Sequence, residues 1–549
     1  MSVNLKDWNV EDLKFWNSSG KKIAGRNLWI SIPALLLAFA VWIMWSMIIV
    51  GMEKLGFTFG MLSSEFDSVL RNASVNPAEY PIAMKEQLKT INAMYYSLPA
   101  IAGLAGATLR IPNSFLIAIG GGRNTIFITT VLLIIPCVGV GIALQDPQTP
   151  FPVFAVFAAL SGFGGGNFAS SMSNITFFFP KRMQGTALGL NAGLGNLGVS
   201  TMQFLLPITM GAALFSAIGG EGLPLLSAFK GKAAGAPYWI QNSGWTWVPM
   251  LFVSAAAAFF GMNNLGIATP NLRSNLLNMG KALYLILLSL ISAGTGVYLL
   301  LILKINMWMV LPVVIILTLL LLKFLALGEI RANLNRQFAI FSNKHNWIMT
   351  VIYTMTFGSF IGFSAAFPKL ISDVFGSLPD GSVNPNAPNP YTWAFLGPLV
   401  GALIRPVGGW ISDKLNSGSR VTQWSTLLQI AAAISVAYFV IQAKGHPTPE
   451  IFWWPFFAMF MLLFIGAGIG NGSTFRSIPY IFEKSQAGPV LGWTSAVAAY
   501  GAFIIPTVFG QQIKAGTPEY AMFGFAAYYV LCLVLNWYFY DRKMSGIRC

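Results

Sequence analysis

Long apolar stretches, each the length of a membrane-spanning helix, recur along the chain. The first runs from Leu28 to Val50 without a charged residue, and at roughly 1.5 Å per residue it exceeds the ~30 Å hydrocarbon core of a bilayer. Six such segments are predicted in the first half, near residues 28–52, 91–118, 125–145, 153–178, 186–217 and 246–267. Six more follow near residues 347–371, 391–412, 421–442, 452–481, 489–513 and 519–540. The pattern predicts an all-α polytopic membrane protein.

Two further uncharged stretches lie between these sets. Ala282–Leu303 and Ile305–Leu322 are separated by Lys304 alone, so we expect a central two-helix hairpin and fourteen transmembrane helices in total. The predicted organisation is an N-terminal segment (1–27), a six-helix bundle (28–267), a central linker (268–346) with the hairpin at 282–322, a second six-helix bundle (347–540) and a tail (541–549).

Composition and charge agree with a membrane protein. The 549 residues are 55% hydrophobic and 9% charged, whereas soluble proteins carry about 25% charge. The net charge of +15 comes from basic residues dispersed over short loops, as cytoplasmic loops of membrane proteins require. We therefore expect the protein to contact membrane lipid and not nucleic acid, and both of its termini to lie in the cytoplasm. We also expect the first helix to remain uncleaved.

Histidine and cysteine are too scarce for most redox or metal chemistry. The chain has His345 and His446, and its cysteines Cys137, Cys532 and Cys549 have no metal-ligand spacing. A metal site, a bis-histidine haem and a cofactor-bearing membrane enzyme are therefore not expected.

The two halves repeat short motifs at an offset of about 300 residues. Gly106–Arg110 (GATLR) resembles Gly401–Arg405 (GALIR), and Gly162–Asn167 (GFGGGN) resembles Gly466–Asn471 (GAGIGN). Parallel repeats related by an axis along the membrane normal form the two halves of major-facilitator transporters, which bind substrate between them at mid-membrane. The predicted fold is therefore two parallel six-helix bundles with a central site.

Arg110 and Arg405 occupy equivalent positions in this repeat. Arg110 precedes the Gly120 turn by ten residues, about 15 Å of helix, so it lies well inside the membrane. An arginine at that depth costs about 2.5 to 3.5 kcal/mol, and the neighbouring sequence supplies no carboxylate. Either each side chain extends to the interface or a backbone carbonyl, or the pair binds an anion. Because the two are repeat-related, we favour a planar oxyanion held by both guanidinium groups.

Other residues near the repeated motifs are candidates for the same site. In the fifth segment, Gly185, Gly189 and Gly193 recur every fourth residue, which is also the pattern of a helix-packing seam, and Asn196 shares their face. The repeated glycine motifs favour close packing or gating; their residues are Gly164, Gly166, Asn167, Gly468, Gly470 and Asn471.

Aromatic residues near these motifs are further candidates. Phe168 and Phe475 lie beside the motifs, although most phenylalanines in membrane helices only pack against neighbours. Tyr353, in a stripe with Thr356, Phe357 and Phe360, is either an anion donor or an interfacial residue.

Charged residues in two equivalent loops suggest a latch between the halves. The Gly120–Arg123 turn and the segment from Asp413 to Arg420 follow the second segment of each half. Their charges either fasten the halves together in one state or only reflect the positive-inside rule.

Five segments of the sequence resemble the nitrate/nitrite porter family of the major facilitator superfamily. They are Arg26–Ser31 (RNLWIS), Gly162–Lys181 (GFGGGNFASSMSNITFFFPK), Gly185–Ser200 (GTALGLNAGLGNLGVS), Thr356–Ala366 (TFGSFIGFSAA) and Gly470–Phe475 (GNGSTF). The resemblance implies that Arg110 and Arg405 bind substrate, that Phe168 and Phe475 sandwich it, that Asn196 and Tyr353 hydrogen-bond it, and that Ser495 lies near the pathway. The central hairpin and the 53–89 loop depart from the family pattern.

The expected function is transport of nitrate and nitrite by a monomer in a bacterial inner membrane. Two arginines facing each other in an empty site would oppose closure, so exchange of one anion for the other is favoured. Proton-coupled nitrate symport is the alternative, for which Glu329 and Glu483 are candidates near helix ends. A non-transporting anion sensor is a third possibility.

Overall fold

The computed structural model describes most of the chain. The described residues are 4–72, 75, 79–229, 231–269, 274–326, 328, 331, 332, 335, 338–482, 484–542, 547 and 549, without the side chains of residues 115, 181, 182, 184–186, 479 and 484–489. Glu329 and Glu483, the sequence candidates for a proton pathway, lie outside them.

The first half forms a helical bundle. Its main helices are α1 (Lys21–Ile43), α2 (Trp45–Lys54), α3 (Ser97–Gly120), α4 (Gly122–Leu132), α5 (Ile134–Ala143), α6 (Phe151–Ser161), α7 (Phe163–Phe178), α8 (Lys181–Thr209) and α9 (Trp247–Gly261). Several spanning segments are two helices in line, such as α1 with α2 and α6 with α7. Internal prolines such as Pro33 and Pro112 are tolerated, because neighbouring helices satisfy the backbone groups that proline frees in a membrane segment.

The second half repeats this arrangement. Its main helices are α12 (Lys344–Tyr353), α13 (Ser359–Phe375), α14 (Leu396–Leu403), α15 (Arg405–Lys414), α16 (Gly418–Ala443), α17 (Trp453–Ile481), α18 (Lys484–Ala498), α19 (Gly501–Ala515) and α20 (Pro518–Asn536). The π-helical turn Thr354–Gly358 joins α12 to α13, and further π-helical turns span Trp16–Gly20 and Trp537–Asp541. Asn343 and Ser417 cap α12 and α16 by accepting bonds from backbone N–H groups.

Between the halves, α10 (Asn275–Leu301) and α11 (Met307–Leu325) form the predicted hairpin. The two helices are joined by a hydrogen bond between the hydroxyls of Ser292 and Thr318 at 2.7 Å. Both helices pack on α3, where Gly296 allows close approach because a Cβ at that position would lie 3.0 Å from Leu104. The hairpin therefore covers the outer side of the helix that carries Arg110.

Twelve helical segments of the described residues are long and apolar enough to cross a membrane, and both hairpin helices are among them. The helices α3 and α8 are also long, at 24 and 29 residues, and both pack inside the first bundle. The all-α polytopic fold is confirmed, whereas the total of fourteen spans stays a prediction.

Three sequence expectations about element boundaries were wrong. The segment 186–217 ends as a helix at Thr209, and 246–267 ends at Gly261. Beyond Gly261 the backbone N–H of Asn263 donates to the side chain of Asn27, so a side-chain acceptor takes the place of the next helical turn. The 53–89 stretch is not all loop, because it contains the helix Ser64–Arg71 and most of the helix Ile82–Tyr95.

Short strands and turns complete the described part. The strand β1 (Asn4–Leu5) pairs in parallel with β4 (Asn264–Leu265), and β2 (Leu223–Pro224) pairs antiparallel with β3 (Pro237–Tyr238). Shorter helices lie at Leu13–Phe15, Ser216–Gly219, Asn242–Trp245 and Pro390–Trp393, and 3-10 turns at Phe338–Ser342 and Pro449–Phe452.

The two ends of the bundle differ in how the halves meet. We call the end that carries β1 and the C-terminal Cys549 the terminal face, and the opposite end, where α2 and α13 finish, the distal face. Hydrogen bonds between the halves in the described part lie at mid-bundle, as for Thr108 with Tyr500, or toward the distal face, as for Tyr391 with the carbonyl of Met47. The halves are therefore fastened at the distal side of the central site.

Candidate functional site

Arg110 lies at the centre of the bundle on α3. It is fully buried, with 0% of its surface exposed, and its Nε donates to the carbonyl of Gly165 at 2.9 Å while Nη1 donates to the carbonyl of Ser495 at 3.2 Å. These bonds connect α3 to one helix of each half. The Nη2 group is buried without a partner in the described part of the chain, so one side of this guanidinium is free to bind an acceptor.

Arg405 approaches the centre from the other half. The turn at Ile404 interrupts the segment between α14 and α15, because Pro406 cannot continue a helix hydrogen-bonding ladder. Arg405 is therefore the first residue of α15. Its Nε and Nη2 groups are buried without hydrogen-bond partners, and within the described residues neither it nor Arg110 forms an ion pair with a carboxylate.

The two arginines approach the same aromatic ring. The Cζ of Arg110 is 5.2 Å from the ring centroid of Phe357, and the Cζ of Arg405 is 5.5 Å from the same centroid. The two guanidinium carbons are thus no farther apart than the sum of these distances. Both side chains point inward and converge, which is the arrangement that the repeat predicts.

Additional rings surround each guanidinium group. Phe168 and Trp42 lie 4.9 and 5.4 Å from the Cζ of Arg110, and Phe360 lies 4.1 Å from that of Arg405. Aromatic faces attract cations, more strongly when water is excluded. The rings therefore stabilise both positive charges and leave Nη2 of Arg110 and the Nε and Nη2 groups of Arg405 available to an anion.

Tyr353 forms the next layer. Its ring stacks on Phe357 at 5.9 Å and contacts the edge of Phe475 at 5.3 Å, and its hydroxyl accepts a long bond from the amide of Asn471 at 3.5 Å. Tyr353 and Phe357 are four residues apart and share one side of the helix. A π-helical turn starts between them, at Thr354, and such turns are frequent at functional sites. The structure thus brings together Tyr353, Asn471 and Phe475 from the predicted set.

Phe168 and Phe475 do not face each other directly in this conformation. Phe168 stacks on Phe357 at 6.3 Å, whereas Phe475 contacts Tyr353. Phe357 was named from the sequence only as part of a stripe, and it is the residue that the predicted site lacked. Its i+4 spacing from Tyr353 was the available signal, but nothing in the sequence shows that both arginines approach this ring.

Ser495 is hydrogen-bonded to Arg110, whereas Asn196 is hydrogen-bonded within its own helix. Ser495 offers its carbonyl to the guanidinium, while its hydroxyl donates to Gly492. Asn196 is fully buried in α8, where its amide nitrogen donates to the Ala192 carbonyl and Oδ1 has no partner in the described residues. Asn167 is likewise buried with an unpartnered Oδ1.

The glycines of the repeated motifs allow close helix packing around the arginines. A Cβ at Gly164 would overlap the carbonyl of Ala38, and one at Gly166 would lie 2.5 Å from the Asn113 amide. In the second half, a Cβ at Gly468 would overlap Ile404, and one at Gly470 would lie 2.6 Å from Thr356. Only glycine permits these approaches, which set the positions of both arginine-bearing helices.

The glycines of α8 behave differently. A Cβ at Gly189 or Gly193 would meet no heavy atom within 4 Å, so these two do not form a packing seam in this conformation. The close contacts of α8 with α1 use Gly195 and Gly198, which press against Leu35 and Leu36. The surroundings of Gly185 lie outside the described residues.

The loop charges proposed as a latch stay within their own halves. Arg123 donates to the carbonyl of Phe259 in the first half, and Asp413 pairs with Arg476 in the second. The positions of these charges in the sequence do not show whether each one binds a partner in its own half or in the other half. Ion pairing between the halves lies instead at the distal face, where Lys369 contacts Glu53 at 3.2 Å.

Comparison with known proteins adds sequence and fold relatives, although no family model matches the chain. It is 35% identical to the nitrate/nitrite transporter NarU of Escherichia coli (strain K12), with 98% of this chain and 96% of the relative covered. It is 37% identical to the probable nitrate/nitrite antiporter NarK2 of Thermus thermophilus, with 99% and 98% covered.

Solved structures with the same fold include a D-xylose-proton symporter. That structure has a TM-score of 0.59 at 12% identity and covers 96% of this chain and 98% of its own. A peptide transporter, POT, has a TM-score of 0.51 at 13% identity, with 94% and 96% covered. At these identities the likeness concerns the fold alone.

Proposed function

Because the chain belongs to the nitrate/nitrite porter family of the major facilitator superfamily, we propose that it exchanges nitrate for nitrite by alternating access around Arg110 and Arg405. Its relatives are named transporters, and the prediction that it is not an enzyme is confirmed by them. The observation that carries the proposal is the pair of converging guanidinium groups. In the described part of the chain, Nη2 of Arg110 and both Nε and Nη2 of Arg405 are buried without hydrogen-bond partners.

A small planar anion suits this arrangement. Guanidinium groups form paired, charge-assisted hydrogen bonds with flat oxyanions, and the unpartnered N–H groups supply donors from both halves. The rings of Phe168, Phe357 and Phe475 lie around Arg110 and Tyr353, where they exclude water and strengthen electrostatic contacts. Asn196 and Tyr353 complete the proposed donor set.

Exchange follows from charge. With an empty site, closing the cavity brings two positive charges together in a medium of low dielectric constant, which is unfavourable. A bound anion removes that penalty, so the occupied carrier changes conformation more readily than the empty one. Nitrate carried one way and nitrite the other is the simplest cycle that keeps the site occupied.

Proton-coupled symport is the competing function. It requires a carboxylate that loads and releases a proton, and the described carboxylates that lie between the halves, Glu53 and Asp373, contact Lys369 rather than either arginine. Their separation from the arginines favours exchange. An anion sensor would bind nitrate without moving it.

The proposed setting is a bacterial cytoplasmic membrane, with a monomer of fourteen spans and both termini in the cytoplasm. The basic loops at the terminal face support this orientation. The distal face then faces the periplasm.

Counterflow into proteoliposomes tests the proposal. Nitrate uptake should be fast into vesicles preloaded with nitrite, slow into vesicles without internal anion, and unchanged when a pH gradient is imposed or collapsed. Uptake that requires the proton gradient and ignores internal nitrite would establish symport instead, and nitrate binding without counterflow would establish a sensor.

A further inference from the structure

A buried charge cluster joins the halves at the distal face, away from the arginines. Lys369 on α13 has 0% side-chain exposure and contacts two carboxylates: Glu53 on α2, at 3.2 Å, and Asp373, one turn farther along its own helix. The ion pair with Glu53 crosses between the halves, whereas the pair with Asp373 stays within the second half.

Asp373 receives further donors from the first half. The Tyr96 hydroxyl donates to Oδ2 at 2.6 Å, and the Asn92 amide donates to Oδ1 at 3.1 Å. The Lys369 ammonium also lies 5.9 and 5.7 Å from the rings of Tyr95 and Tyr96. Glu53, Asn92 and Asp373 line a cavity at this face, so the cluster borders a polar space.

Such a cluster is costly unless it has a specific use. Lys369 and Asp373 are removed from water, whereas the Glu53 side chain keeps 32% of its surface exposed. Burying the first two carries a desolvation penalty that ion pairing only partly offsets, and charged residues inside membrane segments usually serve function. The contacts of Lys369 with Glu53, and of Asp373 with Tyr96 and Asn92, exist only when the halves meet at this face. The contact between Lys369 and Asp373 does not depend on that meeting.

We propose that Lys369, Glu53, Asp373, Tyr96 and Asn92 form a polar latch that closes the distal face and breaks once in each transport cycle. The proposal rests on the alternating access of the proposed function. When the halves separate, Lys369 keeps its ion pair with Asp373 and is therefore never an unpaired buried charge. Glu53 moves away with α2 and becomes solvated. The latch thereby stabilises the closed distal face without making its opening prohibitive.

Accessibility of a buried reporter tests the latch without reference to nitrate. Ser364 is fully buried between the latch and the arginines, where its carbonyl accepts a bond from Gln203. The reporter is Ser364→Cys in a chain whose free cysteines, Cys137, Cys532 and Cys549, are replaced by alanine. A membrane-impermeant maleimide applied to intact cells then reports opening of the distal face.

Lys369→Met should raise the labelling rate by roughly tenfold or more, because two carboxylates are left facing each other without their shared cation. Lys444→Met is the control at the same cavity. Lys444 lines that cavity but is half exposed and pairs with Glu519 inside the second half, at 3.4 Å, so its loss breaks no contact between the halves and should leave labelling unchanged. Glu53→Gln, which retains the pair of Lys369 with Asp373, should raise labelling less.

Exchanging the charges provides the decisive variant. Glu53→Lys combined with Lys369→Glu keeps one cation and two carboxylates at the interface, and it should return labelling toward the parent rate. Labelling that stays at the parent rate in both folded single variants, or that rises equally in the Lys444 control, would overturn the latch. If Lys369→Met does not yield monodisperse protein, Glu53→Gln and the charge exchange decide the question. A normal latch with no counterflow would reject the proposed exchange and not the latch.

Discussion

At the scale of residues, the proposed exchange depends on guanidinium groups that are buried and incompletely bonded. Within the described part of the chain, Arg110 uses two donors on backbone carbonyls and keeps Nη2 free, and Arg405 keeps Nε and Nη2 free. Sequence reasoning identified both residues, because an arginine inside an apolar helix is expensive and a repeat-related pair indicates a shared partner. It could not identify Phe357 as the ring that both contact, because that contact brings together three segments that are distant in sequence.

Replacing either arginine with lysine tests the two-pronged contact. Arg110→Lys or Arg405→Lys keeps the charge but removes the planar fork, so nitrate binding should weaken by roughly tenfold to a hundredfold. Calorimetric titration of nitrate into purified protein measures the change. Arg123→Lys is the control, because Arg123 lies on Phe259 outside the site; equal losses in all three variants would indicate a general defect.

Phe357→Leu tests the central ring. Leucine keeps an apolar side chain but removes the aromatic face that both guanidinium groups contact, and we expect nitrate affinity to fall about threefold to tenfold. Phe367→Leu, in the phenylalanine stack with Phe460, is a control at a ring remote from the arginines. Unchanged affinity in Phe357→Leu would show that the ring only fills space.

At the scale of elements, hydropathy predicted nearly every long apolar helix, because a membrane segment must be continuous and apolar, but it did not predict the helices within residues 53–89. Helix ends were less predictable: apolar residues continue beyond Thr209 and Gly261, where turns and asparagine side chains satisfy the backbone instead. The interruption of the helix at Ile404 was not predicted, although Pro406 was visible in the sequence. The glycine motifs indicated close packing correctly at Gly164 and Gly468 but not at Gly189 and Gly193.

Replacing each of two glycines with alanine distinguishes a role in helix packing from a role in the conformational change. A Cβ at Gly165 would lie 2.7 Å from both the Gly106 backbone and the Trp42 indole, so Gly165→Ala should lower stability by about 1–3 kcal/mol and displace the carbonyl that binds Arg110. Thermal unfolding, followed by fluorescence, measures the stability.

Gly193→Ala should leave stability unchanged or slightly higher, since alanine favours a helix and the site is open. If α8 closes onto another helix in the opposite conformation, this variant should nevertheless slow counterflow. Normal stability together with normal counterflow would remove Gly193 from the proposed gating residues.

At the scale of the whole molecule, the internal repeat predicted two bundles and a central site. It could not predict which face is closed, because that depends on contacts between residues distant in sequence, such as Lys369 with Glu53 and Tyr96 with Asp373. The predicted spans 28–52 and 347–371 leave out Glu53 and Asp373, yet both residues lie at the ends of membrane helices, and the Asp373 side chain is 5% exposed. The hairpin was predicted from hydropathy, but its packing against α3 could not be predicted from the sequence.

The central claim is that one anion is held jointly by both arginines, and an experimental structure determined in nitrate tests it most directly. Joint binding predicts flat, three-lobed density at the level of Phe357, within hydrogen-bonding distance of the guanidinium groups of Arg110 and Arg405. Density that contacts one arginine alone, or nitrate bound elsewhere while the two guanidinium groups stay unpartnered, would contradict it.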